Sequence, residues 1–148
     1  MTIFGDGIQS GLLALTSGQA SICPVKLTRT FRFSGGGAQT QTFVLPAGVQ
    51  NLNARCYIIQ DGSAATTDSI IVSAGTTTLL SFTSMGSAGG LVEVTTAALG
   101  TKTVVASACA ALSATAETTC TATLASTDTA TIYQLALDFS LLRSFDLT

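Results

Sequence analysis

VKLTRTFRFSGGGAQTQTFVLPAG, residues 25–48, alternates before it turns. Val25, Leu27, Arg29, Phe31 and Phe33 fall on one side of an extended chain, and Lys26, Thr28, Thr30 and Arg32 on the other. A period of two is the signature of a strand with one face on a core. Ser34–Gln39 (SGGGAQ) is a loop, because three successive glycines cost too much backbone entropy inside a strand. The chain then returns as a second strand, Thr40–Leu45, with Phe43 and Leu45 inward, closed by Pro46-Ala47-Gly48. A strand, a short loop and a strand, each apolar on one side only, point to an antiparallel all-β domain.

The same texture extends in both directions. Asn51–Gln60 is the next strand, and Asp61-Gly62 is a hairpin signal. Short β-type runs follow at 69–73, 78–83, 91–95 and 103–108, cut by Gly and Ser. Ala116–Leu124 alternates again, with Cys120, Ala122 and Leu124 on one side. Thr129–Leu141 gives the clearest alternation: Tyr133, Leu135, Leu137, Phe139 and Leu141 share a face, with Gln134 and Asp138 opposite. Alanine-rich stretches at 97–98 and 106–116 fit at most a helical turn or two. Strands at roughly 8–12-residue spacing predict an antiparallel β-sandwich of jelly-roll type. We read residues 23–148 as this domain and residues 1–22 as an N-terminal arm. In the arm, Ile3, Phe4, Ile8, Leu12, Leu13 and Leu15 are interrupted by glycines, so it docks on its own sandwich or on a neighbour.

Composition narrows the function. Charged residues make up 9% of the 148, with a net charge of −2, against roughly 25% in an average domain. Mutual repulsion then does little to keep copies apart, and part of the surface is expected to be covered. Six basic residues give no stripe able to displace counterions from phosphates, so nucleic acid is not an expected partner. No apolar run approaches the roughly 20 residues of a membrane span. The N-terminus lacks the basic start of a secretion signal, and we expect synthesis in the cytoplasm.

Motifs for chemistry are missing. Histidine, the commonest general base, does not occur. Lys26 and Lys102 are not in an S-x-x-K arrangement, and the acids are scattered singly. The loop DGSAATTD, residues 61–68, offers only its two aspartates where a calcium loop needs more oxygen ligands. GDGIQSG lacks the spacing of a phosphate loop. Cys23, Cys56, Cys109 and Cys120 have no zinc-type spacing. They read as buried free thiols in strands or as disulfides, with Cys109–Cys120 the most local pairing; a metal-bound or reactive thiol is the remaining alternative. We therefore expect no enzyme, no cofactor and no metal.

The pattern from Phe31 to Ile59 is an aromatic strand, a Gly-rich loop, TFVLPAG, and an N-x-x-A-x-C-Y-I-I strand. With the closing TATIYQLALDF, residues 129–139, it resembles the head decoration (cement) proteins of tailed bacteriophages. The resemblance implies a β-rich, often trimeric structural protein on the outer face of an icosahedral shell. It further implies a virion location and, as partners, the major capsid protein and copies of itself. The expected contact residues are Ile3, Phe4, Leu12, Leu13 and Leu15 of the arm, with Lys26, Arg29 and Arg32. Lys26 and Arg32 share the threonine-lined face. Arg29 lies on the apolar face, where a buried guanidinium needs an acceptor, such as Asp138 or a group across a subunit interface. The alternatives are a receptor- or glycan-binding sandwich of a phage tail or fibre, and a pilin or secreted surface subunit.

Overall fold

The computed structural model describes residues 20–34, 37–60, 67–86, 91–112, 116–127 and 130–146. Nine strands and one helix follow in chain order: β1 Ala20–Ser34, β2 Gln39–Leu45, β3 Val49–Gln60, β4 Asp68–Ala74, β5 Thr77–Met85, β6 Val92–Glu93, β7 Thr101–Val104, α1 Ala106–Ala110, β8 Thr118–Ala125 and β9 Ile132–Asp146. They form two antiparallel sheets, ordered β1-β9-β3-β6 and β2-β8-β4-β5-β7. The sheets pack face to face as a β-sandwich, as the alternation predicts. The arm residues Ile3, Phe4, Leu12, Leu13 and Leu15, and the turn Asp61-Gly62, lie outside the described residues.

The core forms where the inward sides of both sheets meet. Phe33, Cys56, Ile58, Leu135 and Leu137 come from the first sheet, and Ile70, Val72, Leu80, Phe82, Cys120 and Leu124 from the second; all are fully buried. β9 is central in its sheet, and Tyr133, Leu135, Leu137, Phe139 and Leu141 are all buried. The run expected at 103–108 divides instead into β7 and α1, and the run at 91–95 contributes only two paired residues. Between β4 and β5 the link is Gly75-Thr76, with Ala74 opposite Thr77. Gly75 has φ +58°, the conformation that a two-residue hairpin with glycine first requires.

One expectation fails along β1. Phe33 is buried and Phe31 half-buried, but Arg29, Leu27 and Val25 are exposed. The cause is the length of the strand facing them. β2 runs back across the sandwich edge opposite β1, with Phe43 beside Phe31 at 4.8 Å between ring centroids. It ends at Leu45, so among the described residues β2 does not reach over the earlier inward positions of β1.

That sandwich edge is closed by side chains. Gln39 Nε2 donates to the Ser34 carbonyl, Gln41 Nε2 to the Arg32 carbonyl at 2.7 Å, and Arg29 Nη1 to the Val44 carbonyl at 2.6 Å. The carbonyls of Arg32 and Ser34 thus face the free edge, which places Pro24, at an equivalent even position, with its missing N–H on that edge. Proline and charged residues on an exposed edge discourage unwanted strand pairing.

Candidate functional site

Among the described side chains of the strands, the outer face of the first sheet holds most of the charge. Lys26, Thr28, Thr30 and Arg32 of β1 point out and are exposed, as the alternation predicts. Beside them stand Gln134, Asp138 and Ser140 of β9, Asn53, Arg55 and Tyr57 of β3, and Glu93 of β6.

At its centre is a fork. Arg55 donates from Nε to Asp138 Oδ2 at 2.8 Å and from Nη2 to Oδ1 at 3.1 Å. Thr28 Oγ1 donates to the same Oδ1 at 2.7 Å. Arg55 Nη1 reaches the Tyr57 hydroxyl at 3.0 Å, and its guanidinium carbon lies 6.0 Å from the Tyr57 ring centroid. Two-point pairing fixes the guanidinium plane in a way that a single contact cannot. The hydrogen bond from Arg55 holds the Asp138 carboxyl below the usual carboxylate range, with the Thr28 hydroxyl adding to it. Asp138 in turn pushes Arg55 further up.

Both side chains are well exposed, at 45% for Arg55 and 35% for Asp138, so the pair contributes little to stability and salt screens it. Its sign is still defined. A carboxyl whose folded pKa is depressed favours folding above its ordinary pKa, and the contribution is lost as pH falls through the folded value. Asp138→Asn is therefore expected to lower stability slightly at pH 7 and to make it fall less steeply on acidification. Urea midpoints at neutral and acidic pH check this. A variant whose midpoint falls with acidification as steeply as the parent's contradicts it.

Arg29 differs from the expectation. It is exposed, donates to the Val44 carbonyl, and lies over the Phe43 ring at 6.0 Å from its centroid. Asp138 is not its partner, because the register sets Thr28 opposite Asp138 and Arg29 opposite Leu137. Its role is to bridge the two sheets at their edge. Arg29→Met keeps cover over Phe43 and loses one bond, so the fold is expected to persist with Tm lowered by about 2–4 °C. A calorimetric drop several times larger refutes the exposed placement.

The Cys23 side chain lies outside the described ones, and the other three thiols divide by depth. Cys56 and Cys120 are buried and free, and Cys109 is half-buried on α1 and free. Cys109 and Cys120 are thus not joined. Burial pushes the Cys56 thiol up to about 12 and raises those of Cys109 and Cys120, which leaves little of the nucleophilic thiolate. No group of three or more His, Cys, Asp or Glu able to hold a metal ion occurs among the described residues. No described helix is long and apolar enough to cross a membrane.

At the edge away from β1, β6 pairs only with the end of β3, and a cleft of about 430 Å³ opens below it. Phe82 forms its floor, with Arg55, Glu93, Thr95, Thr96 and Lys102 around it. Lys102 Nζ lies 5.9 Å from the Phe82 ring centroid.

Sequence alone does not single out Arg55 and Tyr57. The only signal it holds is opposite charge at outward positions of two strands, Arg55 and Asp138, and this becomes a pair only once β3 and β9 are known to be neighbours. No family model matches the chain, and neither curated proteins nor solved structures provide a match.

Proposed function

We propose that this chain is a structural virion protein that decorates an icosahedral capsid and stabilises it by binding the outer surface of the major capsid protein lattice. The observation that carries the reading is the outer face of the first sheet. There Arg55 stands on β3, oriented by Asp138 and bonded to the Tyr57 hydroxyl, with Lys26 and Arg32 on the same face. Arginine and tyrosine dominate the energetics of protein interfaces, and side chains already held in place lose less entropy on binding. The charge-poor composition and the resemblance noted above support the same reading. Many copies on one shell multiply a modest contact.

The test is co-sedimentation of the purified chain with shells assembled from the major capsid protein of the same genome. Binding is expected to saturate, and the double variant Arg55→Ala/Tyr57→Ala to weaken it at least about tenfold, since each anchor contributes on the order of 1–2 kcal/mol. No binding to mature or expanded shells overturns the reading.

The cleft beside β6 favours a second reading, a receptor- or glycan-binding domain of a tail or fibre. Its volume falls in the range of small-ligand sites, and threonine hydroxyls with Lys102 and Arg55 could hold a sugar. A specific, competable glycan lost in Lys102→Ala would place this reading first.

A further inference from the structure

The five strands of the second sheet contain two charged residues, Asp68 and Lys102, and both belong to its inner side. Asp68 is buried, and Lys102 sits opposite Phe82 and over its ring. The outer side of these strands is therefore without charge. Directly paired residues share a face, so the register gives what that side presents. One row crosses all five strands as Thr40, Thr123, Ile71, Ser81 and Thr103. Beside it runs Thr42, Thr121 and Ser73. The Thr40 and Thr123 hydroxyls lie 3.1 Å apart. Val44 and Ile71 add exposed branched side chains, at 40% and 37%.

Such a face fits a particular kind of partner. Each hydroxyl both donates and accepts, so an array of them complements an identical array turned about a twofold axis. No like charges meet when two such faces close, and little charge must be desolvated. The outer face of the first sheet does not have this property, because Lys26 and Arg32 would confront their own copies. Five strands at about 4.8 Å spacing and six or seven residues at about 3.4 Å each give roughly 500 Å² in projection. Accessible area exceeds projection on a corrugated surface. Two faces together then bury upwards of about 1,000 Å², the size at which a contact becomes specific.

We propose that this face is an interface between two copies of the chain, related by a twofold axis, with the β2-β8-β4-β5-β7 sheet of one laid on that of the other. The contact is isologous, so it yields even-numbered assemblies, unlike the trimer that the family resemblance implies. It goes beyond the capsid reading, since copies can pair whether or not a shell is bound.

Sedimentation equilibrium of the full chain tests it. The parent is expected to dimerise with rising concentration. Ile71→Lys and Thr121→Lys, at the centre of the face, place like charges across the twofold and should raise the dissociation constant at least about tenfold. Thr30→Lys, on the opposite face, should leave it unchanged. Thr42→Lys, on an edge strand that tolerates charge, replaces any lysine variant that fails to fold by circular dichroism. A parent that stays monomeric at its highest soluble concentration, an odd-numbered species, or a dimer indifferent to these lysines overturns the proposal.

Discussion

Asp68→Ala is expected to lower the unfolding free energy by about 3 kcal/mol. Asp68 opens β4 with 1% of its surface exposed. Its Oδ2 accepts from the Tyr133 hydroxyl at 2.6 Å and from Ser126 Oγ at 2.8 Å, and Oδ1 faces the Thr127 N–H at 3.4 Å. Tyr133 belongs to the first sheet, while Ser126 and Thr127 follow β8 of the second. One carboxyl group thus fastens the two sheets together at one end of the sandwich. Alanine withdraws the acceptor from donors that folding has taken out of water, and it leaves a void as well. Asp68→Asn keeps the shape but turns an amide N–H₂ towards one of the donors, so an intermediate loss is expected. Urea unfolding reads this as a lower midpoint at unchanged slope. An alanine variant within about 1 kcal/mol of the parent would falsify the buried placement.

The second large effect is expected at Phe82. Its side chain is fully buried on β5, paired across the ladder with Ile70 and Lys102. Phe82→Ala removes a ring whose neighbours on β4 and β7 cannot close in without breaking their own pairing, and the expected cost is about 3–5 kcal/mol. It also empties the floor of the cleft and leaves Lys102 without its aromatic neighbour. Phe82→Leu keeps most of the volume and is expected to cost under about 2 kcal/mol. If leucine proved as damaging as alanine, the aromatic contact with Lys102 would outweigh packing at this position.

How legible these features are depends on whether a residue's environment lies in its own strand. In β9 the alternation names the buried residues correctly, because β1 and β3 flank that strand and the second sheet covers its inward side from Tyr133 to Leu141. β1 alternates as cleanly, yet the pattern overstates its burial. Alternation states which side faces inward, not how far the opposing sheet extends, and β2 stops at Leu45. For Arg29 the sequence holds a clue against the expected partner. Asp138 stands between the inward residues Leu137 and Phe139 and must point out, whereas Arg29 alternates with Thr28 and Thr30 and points in. Two residues of one sheet can pair only on a shared face. The Arg55–Asp138 fork and the uncharged outer face are hidden for another reason. Both depend on which strands are neighbours, and strands far apart in the chain, such as β3 and β9, carry no mark of their adjacency.

The long pairing of β1 with β9 has a mechanical consequence. Ala20 lies opposite Asp146, and the register runs without interruption to Ser34 opposite Ile132. Tension applied through residues 20 and 146 in opposite directions therefore loads one rung of the ladder at a time, as in peeling a strip. Tension through residues 20 and 132, at opposite ends of the same ladder, loads all the rungs together in shear. The sandwich should yield at low force to the first pull and resist far more under the second. An atomic-force measurement with handles at positions 20 and 146, against handles at 20 and 132, would read the two limits directly.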